Sequence, residues 1–199
     1  GLILTACGDD TKKDGNAGES SPDDGLATNI VTIATGGASG PYNIIGTTLA
    51  DIYTMEYDVN SRTQTTGSSV ENLNLMEQGK VEMAFVMSDA LSQAIKGEVS
   101  FTKPIEGAST IATLYPNVVQ IIAKADSGIK TIEDLKGKRV AVGDQNSGVE
   151  VNARTLLNGH GITYEDIKVD YLGYAEAADG LSAGTLDAAF LTSGLPNAS

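Results

Sequence analysis

Three times in this chain a short strand-like run ends in a turn rich in Gly, Ser and Thr, and a helical pattern starts at once. The first is Ile30-Val31-Thr32-Ile33-Ala34, followed by Thr35-Gly36-Gly37-Ala38-Ser39-Gly40-Pro41 and the helical spacing of Ile45, Leu49, Ile52 and Tyr53. The second is a more polar run at 58–65, the turn Thr66-Gly67-Ser68-Ser69, and a helix over 68–78 stopped by Gly79. The third is Arg139-Val140-Ala141-Val142, the turn Gly143-Asp144-Gln145-Asn146-Ser147, and a helix over 148–157. Period-2 or continuous apolar runs alternating with period-3.6 stripes predict βαβ units and parallel sheets. Further strands are expected at 81–86, 111–114, 118–124, 168–172 and 186–191, with helices at 89–96, 131–135 and 175–181. Residues 29–117 and 118–199 then read as two small α/β lobes, each near the lower end of domain size.

Each turn has the chemistry of a helix start. Pro41 suits a first helical position. Ser68 with Glu71, and Ser147 with Glu150, have capping-box spacing. A helix N-terminus offers unpaired N–H groups and the positive end of its dipole, so it holds a carboxylate or phosphate without Lys or Arg. In open α/β sheets such turns sit at the carboxyl ends of strands, where ligands bind. The other reading is three ordinary capped helices.

Charge and composition exclude several functions. Asp and Glu number 26 against 13 Lys and Arg, a net charge of −13, which argues against nucleic acid and against electrostatic adhesion to an anionic membrane. One Cys excludes an internal disulfide framework, and one His excludes multi-His metal sites. No Gly-rich turn is followed by a P-loop Lys, and Gly37-Ala38-Ser39-Gly40 is not a nucleophile elbow. His160 is the one conceivable triad base, and its setting between Gly159 and Gly161 reads as a surface position after a helix. Arg154 is expected to pair with Glu150 at i,i+4, a ligand carboxylate being the alternative.

The chain opens Gly1-Leu2-Ile3-Leu4-Thr5-Ala6-Cys7. Leu4-Thr5-Ala6-Cys7 resembles a bacterial lipobox, in which the Cys is lipidated, so residues 1–7 read as the end of a lipoprotein signal peptide and Cys7 as the acylated residue. Residues 8–28 are nearly devoid of apolar side chains, and residues 1–28 carry two Lys against six acidic groups. Such a segment cannot offset the entropy of ordering and reads as a disordered acidic linker. The expectation is an extracytoplasmic protein anchored by lipid to the bacterial membrane, on the periplasmic or cell-surface side.

Several blocks together resemble one family. Ala34-Thr35-Gly36-Gly37, Ser39-Gly40 and Tyr42 lead, followed by Thr66-Gly67, Ser69-Val70-Glu71-Asn72-Leu73 and Asp126-Ser127-Gly128-Ile129-Lys130. Asp134-Leu135-Lys136-Gly137-Lys138-Arg139-Val140, Ser147-Gly148, Glu150, Asn152-Ala153-Arg154 and Leu186-Asp187-Ala188-Ala189-Phe190 complete the set. In this order they are similar to the TAXI solute-binding proteins of TRAP transporters. The resemblance implies an α/β, two-lobed, periplasmic-binding-protein-like fold of type II. It also implies that the C-terminal part, which returns to complete lobe I, is missing from this chain. It implies a receptor, not an enzyme, that needs no cofactor. The receptor would close on a small organic anion such as glutamate or a dicarboxylate and deliver it to the TRAP membrane permease.

Carried onto this chain, the ligand-binding candidates are Ser39, Gly40 and Tyr42 in the first turn and Gly67, Ser68 and Ser69 in the second. Asn146, Ser147 and Gly148 follow in the third, with Tyr174 and Glu176 opening the next helix. The sequence departs from the family pattern at Asn43, Ser68 and Met87. An ABC-type or sensor-kinase-linked receptor of the same fold is the alternative, and a lyase or hydrolase on that fold a more distant one.

Overall fold

The structure, a computed structural model, describes residues 27–195. Cys7 and the linker up to Leu26 lie outside the described residues, as do residues 196–199.

The first half builds a three-stranded parallel sheet. β1 (Ile30–Ala34) is central, with β2 (Asn60–Gln64) on one side and β3 (Met83–Ala84) on the other. Its register runs from Ile30 opposite Asn60 to Ala34 opposite Gln64, and Ala34 also faces Ala84. The three carboxyl ends therefore share one edge. Four of the five residues of β1 are buried, as the β-branched run predicts for a central parallel strand. α1 (Pro41–Tyr57) covers one face, its Ala50 packing with Val31, Ile33, Val59 and Phe85. α2 (Ser69–Glu77) and α3 (Ser88–Lys96) lie on the other face; α3 ends at Gly97 in a left-handed cap.

The second half builds a four-stranded sheet in the order β4-β7-β5-β6. β4 (Val118–Ala123) runs antiparallel to β7 (Ala188–Ser193), while β5 (Arg139–Ala141), β6 (Lys168–Asp170) and β7 are parallel. All six residues of β7 are buried, because α4 (Gly148–Gly159) and α5 (Tyr174–Ala183) cover its two faces. Short 3-10 turns at Glu133–Leu135 and Tyr164–Asp166 complete the connections.

The largest apolar cluster crosses from one half to the other. Val70, Leu73, Met87 and Ala90 of the first half pack in the same cluster as Val140, Val149, Leu157 and Phe190 of the second. A polar bond follows the same seam, Asn152 Nδ2 donating to Asp89 Oδ2, and Asn117 Nδ2, just before β4, donates to the Tyr42 hydroxyl at 3.4 Å.

Two expectations change. The run 111–114 is not a strand: Ile111 is 78% and Leu114 56% exposed, and the backbone there is irregular. A β-branched run becomes a strand only where a neighbour supplies its ladder, and none of the described strands does. The helix expected over 131–135 is a single 3-10 turn, held by Asp134 Oδ2, which accepts the N–H groups of Lys130 and Thr131 at 2.9 Å each.

The start of β5 is tied to the start of β7 by one ion pair. Asp187 accepts from Arg139 through its backbone N–H (2.8 Å), Nε (3.1 Å) and Nη2 (2.7 Å). These bonds hold the Asp187 carboxyl well below the usual carboxylate range. A depressed folded pKa contributes stability above the unfolded value and loses it as pH falls through the carboxylate range. Because Arg139 is 41% exposed, solvent screens the pair. Asp187→Asn is expected to cost about 1 kcal/mol at pH 7 and progressively less toward pH 2, measured by urea denaturation across that range.

Candidate ligand-binding cleft

The carboxyl edges of both sheets face a cleft of about 240 Å³ between the two halves. Its first wall is the turn from β1 to α1. Gly40 N–H donates to Gly37 carbonyl at 2.9 Å, and Pro41 takes the first helical position, so no side chain caps α1. Residues 36–42 all line the cleft, and Tyr42 is stacked on Phe85 with ring centroids 5.2 Å apart. Loss of water pushes the Tyr42 hydroxyl up to about 12, so it remains a neutral donor at physiological pH.

The opposite wall comes from the second half. Gly173, which no side chain supplements, caps α5, and Tyr174, Ala175 and Glu176 in its first turn line the cleft. These three N–H groups precede the intrahelical ladder, which begins with Ala177 N–H to Gly173 carbonyl. Tyr174 donates its hydroxyl to Thr192 carbonyl at 2.6 Å, fixing the ring against β7.

The second and third turns behave differently from the first. They dock on each other. Asn146, in the left-handed region at φ 64°, points its carbonyl at the start of α2 and accepts the N–H groups of Val70 (3.1 Å) and Glu71 (3.3 Å). A Cβ on Gly67 would stand 2.6 Å from Gln145 carbonyl oxygen, and one on Gly148 would stand 2.5 Å from Met87 Sδ. The N-terminus of α2 is thus occupied by protein. Its expected capping box does not form: Ser68 sits at φ 80° with no side-chain cap, and Glu71 Oε2 accepts Gly67 N–H instead, at 2.5 Å. At α4 the Ser147 hydroxyl does cap, accepting Glu150 N–H at 3.1 Å.

Seven of the eleven expected ligand residues therefore line the cleft: Ser39, Gly40, Tyr42, Ser68, Ser147, Tyr174 and Glu176. Gly67, Ser69, Asn146 and Gly148 lie in the contact between the turns; Ser69 is buried and its Oγ accepts Met87 N–H at 2.9 Å. Met87 itself is buried among apolar neighbours while lining the cleft floor. Arg154 pairs with Glu150 (2.6 Å), which also accepts the Tyr164 hydroxyl (2.7 Å). His160 caps the end of α4 and meets Glu133 at 2.9 Å, outside the cleft.

Sequence reasoning missed Tyr115, Asn117, Asp144, Thr192 and Ser193, all of which line the cleft. Asp144 lay within the third turn and had a local signal. The others come from a connector and a strand end. The described lining residues include no Lys, Arg or His; the carboxylates are Asp144 and Glu176. Burial, and then the charge of Glu176, pushes the Asp144 carboxyl above its ordinary value.

Two α/β halves meeting at a cleft beside the carboxyl ends of their strands define the periplasmic-binding-protein-like fold. Within it, the chain belongs to the NMT1-like family, whose model matches residues 33–199. Among solved structures it is similar to the alkanesulfonate-binding protein SsuA from Xanthomonas axonopodis pv. citri bound to MOPS. The identity is 18% and the TM-score 0.53, over 82% of this chain and 54% of that one. It is also similar to a binding protein component of an ABC phosphonate transporter from Pseudomonas aeruginosa, with 14% identity and TM-score 0.61 over 82% of this chain and 57% of that one. An ancestral arginine-binding protein bound to arginine matches at 17% identity and TM-score 0.51, over 84% of this chain and 71% of that one. The chain thus spans little more than half the length of the first two. At these identities the likeness is one of fold.

Proposed function

We propose that this protein is an extracytoplasmic solute receptor that captures a small organic anion in the cleft and delivers it to a membrane permease. The cleft itself carries the reading: both halves line it, and the first turn of α5, with the Tyr42 N–H of α1, offers unpaired N–H groups beside it. Its 240 Å³ falls below the roughly 300–1,000 Å³ typical of pockets for drug-sized ligands, which favours a metabolite of amino-acid size. His160 stands outside the cleft, and among the described residues no side-chain hydroxyl bonds to the Asp144 or Glu176 carboxylate.

The blocks shared with TAXI proteins support a TRAP-type permease as partner, with glutamate or a dicarboxylate as ligand. The phosphonate-transporter component of similar fold supports an ABC-type partner as the second reading. On either reading, acylation of Cys7 would hold the receptor at the membrane; among the described residues no helix is long and apolar enough to cross one.

The test is thermal denaturation of the full-length protein with amino acids, dicarboxylates, sulfonates and phosphonates. A ligand at a hundred times its Kd adds about 2.7 kcal/mol, which raises Tm by about 5–10 °C for a protein of this size. No shift with any organic anion contradicts the receptor reading.

A further inference from the structure

Two carboxylates and no cationic side chain stand on the described lining of the cleft, a hostile setting for an organic anion. Asp144 and Glu176 converge at the start of α5. Glu176 Oε2 and Asp144 Oδ2 lie 2.9 and 3.3 Å from one point, the position a Cβ would take on Gly173. Asp144 Oδ2 is also 3.4 Å from the corresponding point on Gly37, so it reaches across to the first wall. Among the described residues neither carboxylate forms an ion pair. Burial, and then the Glu176 charge, pushes the Asp144 carboxyl up, as expected of like charges closing on one space.

A second observation is independent of the acidic pair. Thr192 is 4% exposed and lines the cleft, yet its Oγ1 has no hydrogen-bond partner among the described residues. The Tyr115 hydroxyl, on the same lining, is likewise buried and unpartnered. A buried hydroxyl without a partner is costly, and a bound polar group would relieve that cost. The acidic pair calls for a positive charge, and the hydroxyls for an oxygen-bearing group. A metal-bound organic anion supplies both.

We propose that Asp144 and Glu176 hold a calcium ion, and that the organic anion enters the cleft as a further ligand of that ion. This rests on the receptor reading and adds a metal site to it. An anion arriving alone would set its charge beside two carboxylates, out of bulk water, with no lysine, arginine or histidine to offset them. A divalent cation neutralises the pair and presents a positive charge to the incoming group. Calcium suits this donor set, since it takes about six to eight oxygen ligands at roughly 2.3–2.6 Å in flexible geometry. Glu176 is exposed, so water and the anion have access to the remaining positions. Zinc and copper favour imidazole and thiolate, and the lining holds neither histidine nor cysteine.

The experiment is calorimetric titration of the full-length protein, stripped of metal with EGTA and dialysed, with calcium chloride alone. A Kd of about 1 mM or tighter is expected, as in extracellular calcium modules. Asp144→Asn and Glu176→Gln are each expected to weaken calcium at least about tenfold while leaving the folded circular-dichroism spectrum intact. Asp126→Asn, whose carboxylate pairs with Lys124 outside the cleft, is expected to leave it unchanged. The organic anion that raises Tm is then titrated in saturating calcium and in EGTA, and binds at least about tenfold more tightly with calcium. Absence of calcium binding, or calcium affinity unchanged in both cleft variants, overturns the proposal. Equal affinity for the anion in calcium and in EGTA also overturns it and leaves the receptor reading standing. If no organic anion binds under either condition the receptor reading fails, and the calcium titration of the three variants still decides the metal site.

Discussion

Asn72→Ala is expected to lower the unfolding free energy by about 3 kcal/mol, although the side chain touches no ligand surface. Asn72 is fully buried at the start of α2. Its amide donates to the carbonyls of Thr35 and Phe85 at 2.7 Å each, and its Oδ1 accepts the Thr66 hydroxyl. One side chain thus joins the chain after β1, the turn before α2 and the segment after β3. Alanine would leave the Thr35 and Phe85 carbonyls buried without the amide donor and the Thr66 hydroxyl without its acceptor, a loss larger than that of the bonds themselves. Urea denaturation followed by circular dichroism measures this, and a loss below about 1 kcal/mol would show that water replaces the amide. Asn72 belongs to the block that resembles the TAXI family, and the structure gives it a scaffolding part in the site.

Gly143→Ala is expected to cost a similar amount and to abolish ligand binding. Gly143 sits at φ +91°, a region L-residues rarely adopt, and an added Cβ would stand 2.7 Å from Val149 Cβ and 3.0 Å from Ser147 Oγ. Strain and overpacking each cost about 1–3 kcal/mol. The turn cannot shift freely, because Asn146 within it caps α2 and Asp144 lines the cleft. A total near 3 kcal/mol lowers Tm by about 6–12 °C. Gly128→Ala is the control: φ is +76° there with nothing within 4 Å, so only the backbone penalty of about 1–2 kcal/mol applies. Equal losses in the two variants would mean that packing at the third turn contributes nothing.

What the sequence made legible follows from local physics. The β-branched run 30–34 between polar residues and Gly36 could be little but a buried strand, and Pro41 after Gly40 fixed where α1 begins. Gly79 and Gly97, both at positive φ, marked helix ends. The first wall of the cleft was readable for the same reason, since its residues are contiguous.

The rest depends on contacts remote in the chain. Nothing in Thr65-Thr66-Gly67-Ser68-Ser69 shows that a carbonyl from residue 146 will occupy the helix start. The pairing of Ser68 with Glu71 even mimicked a local cap, and φ 80° at Ser68 redirected Glu71 to Gly67. Tyr115 and Thr192 join the cleft from opposite ends of the β4–β7 half, so no local motif could join them. The run 111–114 failed for the opposite reason: its composition is right for a strand, but no described ladder receives it.

Ligand is expected to enter the space between the halves, and the absence of Trp from the chain permits a direct test. Leu172→Trp places one indole on the cleft lining, and Met55→Trp places one on the outer face of α1, where the side chain is 79% exposed. Fluorescence of each full-length variant is titrated with the organic anion that raises Tm. A saturable change in intensity and wavelength is expected from the Trp at 172, with the Kd measured by calorimetry on the unsubstituted protein, and none from the Trp at 55. A saturable change at 55 alone, or none at 172 while heat of binding persists, would place the ligand outside the cleft.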